Sequence, residues 1–145
     1  MRVVIDTNVW VSALLAQQGY SARLIDAFRQ AVIEVVVSEP LLHEIEAVLK
    51  RPRLIAKYKL NDETISEYLS LIKSQSIQVS VSGTLRLCRD PRDDFLLETA
   101  IFGSAEYLIT RDDDIKRDRE LVQRMAEWGV QVVSVQQFLN LIQQQ

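Results

Sequence analysis

Carboxylates dominate the residues able to do chemistry. Asp6 follows the β-branched run Val3-Val4-Ile5, and Asp112 follows Leu108-Ile109-Thr110-Arg111. Each reads as a polar turn at the C-terminal end of a buried strand. In an open parallel sheet those ends share one rim, and ligands bind in the crevice there. One strand-end aspartate is ordinarily a helix cap, whereas two on one rim point toward a site. The turn Asp90-Pro91-Arg92-Asp93-Asp94 adds three aspartates, where an N-capped turn requires one. Between Glu39 and Arg51, Leu41, Leu42, Ile45, Val48 and Leu49 form an apolar helical stripe. Glu44 and Glu46 fall on opposite borders of it, and the pattern does not choose between them. Either one alone reads as an exposed charge beside the core.

Gathered carboxylates raise one another's pKa and weaken a fold unless a cation neutralises them. Cys88 and His43 are the only cysteine and histidine. A site of oxygen ligands without a pair of histidines selects a hard ion, Mg²⁺ or Mn²⁺, over zinc. Such an ion positions phosphate oxygens, generates a hydroxide from water and stabilises a leaving oxygen. Phosphodiester hydrolysis is the reaction that suits this chemistry.

The elements that must position these residues alternate between strand and helix. Strands are expected at Val3–Ile5, Val32–Val37, Ile77–Val81 (near a sheet edge), Tyr107–Thr110 and Val130–Val135. Helices are expected after Thr7 or Asn8, after Ser21, from Ser38 to before Pro52, and after Asn61 or Asp62. Further helices are expected over Arg92–Ser104, as one polar stretch over Ile115–Trp128, and over Gln136–Ile142. Alternation implies right-handed βαβ units and a mostly parallel sheet covered on both faces. The chain has 145 residues, 48% hydrophobic, enough for a proper core, and residues 1–145 read as a single domain. No apolar run approaches the roughly 20 residues needed to cross a bilayer. Asp6 comes too early for a signal peptide, and the lone cysteine suits a reducing compartment, so a cytoplasmic location is expected. Apart from the terminal Gln143-Gln144-Gln145, no low-complexity segment or repeat is evident.

Val4-Ile5-Asp6-Thr7-Asn8, the helix around Glu44, Asp93-Asp94 and Thr110-Arg111-Asp112 together resemble the PIN-domain family, in order and over nearly the whole chain. Ser38-Glu39-Pro40-Leu41-Leu42-His43-Glu44-Ile45, with Leu49-Lys50-Arg51-Pro52, is similar to the subgroup described as toxin components of toxin–antitoxin systems. The resemblance implies a three-layer α/β/α sandwich with a central, mostly parallel sheet of about five strands. It also implies metal-dependent endoribonuclease activity, an antitoxin partner, and a dimer or higher homo-oligomer. Carried over, Asp6, Glu44, Asp94 and Asp112 match the family's acidic quartet, with Asn8 and Thr110 as supporting polar residues. Asp94 is preferred to Asp93 because the family's acidic residue stands eighteen positions before the aspartate of the Thr-Arg-Asp turn. Asp114 is an auxiliary metal ligand in this reading, and Glu98, one helical turn beyond Asp94, a weaker candidate.

Other residues read more plainly. His43 points outward, Cys88 is a small packing residue, and the four glycines mark turns or stops rather than a phosphate loop. Trp10 and Trp128 fit core or interface roles. The run from Lys50 to Lys59 contains Lys50, Arg51, Arg53, Lys57 and Lys59 and no acid. It reads equally as a phosphate-tracking patch, with Tyr58 free to stack a base, and as a solvated surface or a dock for an acidic partner. Arg86, Arg89, Arg92 and Arg111 could add positive charge nearer the acidic rim. A net charge of −3 does not decide between these. The competing function is a catalytically inactive RNA- or protein-binding module, against which four retained carboxylates argue. A phosphoacceptor receiver would want an acidic pair after the first strand, and a haloacid-dehalogenase-type phosphatase an aspartate where Asn8 stands.

Overall fold

The computed structural model describes residues 1–143, so Gln144 and Gln145 of the terminal glutamine run lie outside the described residues. Strands β1 (Arg2–Ile5), β2 (Glu34–Val37), β3 (Ile77–Gln78), β4 (Tyr107–Thr110) and β5 (Gln131–Ser134) form one sheet in the order β3-β2-β1-β4-β5. Every neighbouring pair is parallel. Beyond their first residues, Arg2 and Glu34, β1 and β2 are apolar because both faces are covered: Val3, Val4, Ile5, Val35, Val36 and Val37 are all buried.

Nine helices surround the sheet among the described residues: α1 (Thr7–Leu15), α2 (Tyr20–Arg29), α3 (Glu39–Leu49), α4 (Pro52–Tyr58), α5 (Asp62–Gln75), α6 (Pro91–Phe102), α7 (Asp112–Arg117), α8 (Arg119–Glu127) and α9 (Val135–Gln143). The chain steps from β1 to β2 to β3, then crosses back to β4 and on to β5. Right-handed crossovers in opposite directions put the two sets of helices on opposite faces. Accordingly α1, α2, α3, α5 and α9 pack into one layer, and α6 and α8 into the other. The result is the expected α/β/α sandwich. Trp10 anchors the first layer, edge-on to Phe28 at 5.3 Å and Tyr68 at 6.3 Å, and the Tyr68 hydroxyl donates to the Trp10 carbonyl at 2.7 Å.

Several boundaries differ from expectation for local reasons. Asp6, rather than Thr7 or Asn8, caps α1, accepting from the Thr7 N–H. Helix α2 begins at Tyr20, after Gly19, so Ser21 is already inside it. Ser38 holds the N-cap position of α3 but makes no capping bond, because its hydroxyl pairs with that of buried Thr99 at 2.8 Å. β3 is only two residues long, a short edge strand, and the Val79 N–H adds one further bond to Val37. The polar stretch expected as one helix divides into α7 and α8, because Asp118 leaves helical geometry and caps α8 through Leu121 N–H. Among the described residues, no helix is long and apolar enough to cross a membrane.

Candidate metal-binding cleft

The strand order reverses beside β1, whose neighbours β2 and β4 carry the chain in opposite directions. The C-terminal ends of β1 and β4 therefore frame the crevice typical of ligand sites in open α/β sheets. Asp6 and Thr110 occupy those ends. The Thr110 hydroxyl donates to Asp6 Oδ2 at 2.9 Å, and the Thr7 N–H donates to Asp6 Oδ1 at 2.7 Å. One carboxylate thus ties the two central strands to the start of α1. Asn8, in the first turn of α1, donates from Nδ2 to Asp114 Oδ2 at 3.2 Å.

These residues line a cleft of about 390 Å³ that also receives Glu44 from α3 and Asp93 from the first turn of α6. Asp90, Asp118, Arg92 and Arg117 complete its polar wall, while Leu96, Leu121 and Val132 supply apolar lining. Arg92 is turned toward Asp90 at 2.9 Å, and its hydrogen bonds hold the Asp90 carboxyl below the usual carboxylate range. Among the described residues, none of Asp6, Glu44, Asp93, Asp114 or Asp118 has a cationic side chain within salt-bridge distance.

That imbalance shows in the protonation of the cleft. Burial pushes the Asp6 carboxyl up to about 6, against the bonds from Thr110 and Thr7, and the charges of Asp114 and Glu44 add to the rise. Burial also raises Asp93, reinforced by a hydrogen bond to Asp118 and by the charges of Asp118, Asp90 and Asp6.

The expected site residues divide. Asp6, Glu44, Asn8, Thr110 and Asp114 come together in the cleft. Asp94 does not: it is buried, and its Oδ1 accepts from the Leu87 and Cys88 N–H groups at 3.0 Å each. Glu98, one turn on and fully buried, accepts from the N–H groups of Ser82, Gly83 and Leu85. Both carboxylates hold the loop before α6 rather than face the cleft. Asp112 also lies outside it, as an exposed first residue of α7 paired with Lys116 at 3.2 Å. It lines a separate groove with Arg111, Asp113 and Ser134.

Glu46 pairs with Lys50 at 3.1 Å on the far side of α3, which resolves the choice between the two glutamates in favour of Glu44 facing the cleft. His43 is exposed beside Glu39, as expected. Lys50, Arg51, Arg53, Lys57 and Lys59 are exposed on and around α4, and none lines the cleft. Trp128 is half exposed, unlike buried Trp10. Burial pushes the Cys88 thiol up to about 12, in keeping with an unreactive packing residue.

Asp93 and Asp118 are the cleft acids that sequence reasoning passed over. The i, i+4 pairing of Asp94 with Glu98 was the available sign that Asp94 belongs to a different face. Asp118 was hidden by reading α7 and α8 as one helix.

The donor set is chemically suited to a hard cation, being all oxygen, acidic and uncompensated. Among the described residues, no three His, Cys, Asp or Glu side chains stand close enough together to enclose an ion. Mg²⁺ does not need such a cage, because it keeps several waters and uses one or two carboxylates directly. The cleft therefore fits a hydrated ion.

A protein-family model for the PIN domain matches residues 2–114, which take in β1 through the first turn of α7. MJ1680, an uncharacterized protein of Methanocaldococcus jannaschii, is 31% identical over 115 residues, covering 79% of this chain and 73% of that protein. A chain from the crystal structure of VapBC2 from Rickettsia felis, bound to a DNA fragment from their promoter, superposes with a TM-score of 0.58 at 17% identity. That superposition covers 92% of this chain and 98% of the other, and it shows a shared fold. The family match spans Asp6, Asn8, Glu44, Asp93, Thr110 and Asp114 of the cleft, and the chain belongs to the PIN-domain family.

Proposed function

We propose that the protein is a Mg²⁺- or Mn²⁺-dependent endoribonuclease and that residues 1–145 act as one PIN-like domain. The observation that carries the reading is the uncompensated acidic cleft at the β1/β4 switch point. Of Asp6, Glu44, Asp93 and Asp114, one or two would bind a hydrated ion directly and the others through its waters, so the places expected of Asp94 and Asp112 pass to Asp93 and Asp114 in this proposal. Asp118 would assist through Asp93. A bound ion would supply neutralising charge, activate water and stabilise the leaving oxygen.

The protein's own residues perform the remaining tasks. Thr110 and the Thr7 N–H fix Asp6, so that one carboxylate keeps its orientation as substrate arrives. Asn8 holds Asp114 toward the same space. Arg92 and Arg117, the cations of the cleft wall, would bind non-bridging oxygens of the phosphodiester.

The likeness to a chain from a VapBC2 complex supports a toxin role with an antitoxin partner, and we propose with it a cytoplasmic location and a dimer or higher homo-oligomer, as the sequence resemblance implies. The test is cleavage of a panel of structured RNAs with Mg²⁺, Mn²⁺ or EDTA, beside Asp6→Asn. Metal-dependent cleavage lost in Asp6→Asn is expected. RNA binding without cleavage under every metal condition would leave the inactive binding module as the better account.

A further inference from the structure

We infer that a groove behind α8, lined by Arg86, Arg89, Arg119 and Arg124, holds the phosphate backbone of substrate RNA beyond the bond being cut. The inference rests on the nuclease reading and extends it from the reacting phosphate to its neighbours.

The loop from residue 79 to residue 90 has little secondary structure of its own, yet its position is fixed. Glu98 accepts from Ser82, Gly83 and Leu85 N–H groups, and Asp94 from those of Leu87 and Cys88. The Arg89 N–H is held by Glu120 of α8 at 2.8 Å. Five backbone bonds from α6 and one from α8 thus lay Arg86 and Arg89 against the face of α8 that bears Arg119 and Arg124. The groove they form is about 630 Å³ and open, with Cys88 and Gln123 in its wall. Glu120 is its one acid against four arginines. Arg89 is almost wholly exposed at 95%, so its pairing with Glu120 at 3.5 Å leaves most of the guanidinium free.

The groove and the acidic cleft are neighbours across one helix. Asp118, Leu121 and Val122 face the cleft, while Arg119, Glu120, Gln123 and Arg124 face the groove. The same adjacency holds on α6, where Asp93 lines the cleft and Asp94 grips the groove's loop. A polyanion gains little from six cleft carboxylates except at the bound ion, so affinity must come from cations nearby. Arginine suits that task because its planar fork pairs with phosphate bidentately. The run from Lys50 to Lys59 carries more charge but contributes nothing to the cleft wall.

The test compares a triple Gln variant, Arg86→Gln/Arg89→Gln/Arg119→Gln, with a control triple, Arg53→Gln/Lys57→Gln/Lys59→Gln, of equal charge change. Arg124 is left intact because it also pairs with Glu127. Cleavage is measured on a long single-stranded RNA and on an oligonucleotide too short to leave the cleft, and affinity for the long RNA is followed against salt. The groove triple should raise KM on the long RNA about tenfold, lower the salt slope by about 2, at roughly 0.7 per phosphate contact, and leave the short substrate unchanged. The control triple should change neither substrate by as much. Equal effects of the two triples, an unchanged salt slope, or equal losses on both substrates would overturn the groove assignment. So would a groove reserved for an acidic polypeptide, which predicts unaltered RNA binding. A wild type that cleaves no RNA would instead remove the nuclease reading itself.

Discussion

A rotation of about 100° around α6 separates Asp93 from Asp94 and gives two like residues different work. Asp93 faces the cleft together with Asp118, whereas Asp94 accepts two backbone N–H groups of the preceding loop. Asp93→Asn should therefore abolish cleavage without lowering the melting temperature. Asp94→Ala should keep cleavage at low temperature but lose about 1–3 kcal/mol of stability, because two loop N–H groups lose their acceptor. Asp94→Asn, which keeps an acceptor oxygen, should recover most of that loss. Cleavage lost in Asp94→Asn and retained in Asp93→Asn would reverse the assignment. Asp6 makes a second prediction at this scale. Its carboxyl titrates near 6 in the fold, above the ordinary value of 3.8, so its ionisation opposes folding. The penalty is absent below about pH 4, grows as pH rises, and is complete above about pH 6, where it reaches about 3 kcal/mol. In EDTA, the melting temperature of Asp6→Asn relative to wild type should rise between pH 4 and pH 7. A difference that stays flat over that range would mean that Asp6 is not electrostatically strained.

At the scale of elements, the close approach of α6 to β2 is set by Gly103. Its backbone torsion is ordinary, so the requirement is space: a Cβ there would collide with the Val36 side chain and crowd the Thr99 carbonyl. Gly103→Ala should cost about 1–3 kcal/mol by overpacking, read as a shift of the urea midpoint without change of slope. An unchanged midpoint would show that α6 can move away freely. Elements were the most legible part of the sequence. β1, β2, β4 and β5 announce themselves as short β-branched runs, and α5 by its Asn61 cap and the spacing of Ile65, Tyr68, Leu69 and Ile72. What stayed illegible was controlled by contacts distant in the chain. Ser38 looks like a cap, yet its hydroxyl is taken by Thr99. The break at Asp118 has no glycine or proline to mark it, and α4 hid within a run read only for its charge. Of the two strand-end acids that topology marked, Asp6 lies in the cleft and Asp112 does not, while Thr110 was reached only through the family resemblance. Which of two adjacent aspartates turns inward depends on a helix phase that the loop grip of Asp94 and Glu98 decides.

At the scale of the whole molecule, a net charge of −3 conceals a strong separation: acids gather in one cleft while arginines line the groove behind α8. The acids come from the end of β1, from α3, α6 and α7, and from the caps of α6 and α8, so their repulsion acts between the elements around the switch point. A divalent ion bound there would relieve it and bind only the folded chain. Stability should then rise by RT ln(1 + [L]/Kd), about 2.7 kcal/mol at a hundredfold excess of Mg²⁺ or Mn²⁺ over Kd. For a chain of this size that is a shift of roughly 5–10 °C in melting temperature. Protons compete for the same oxygens, and Asp6 holds its proton up to about pH 6. Burial and neighbouring acids push the Asp93 carboxyl higher still, to about 8, so the metal-induced shift should keep growing as pH rises from below 6 to above 8. Asp6→Asn and Asp93→Asn should each shrink it, and the double variant should remove it. Asp112→Asn, on an exposed side chain outside the cleft, should leave it intact. A shift that survives the Asp6/Asp93 double variant, or disappears with Asp112→Asn, would place the ion somewhere other than this cleft.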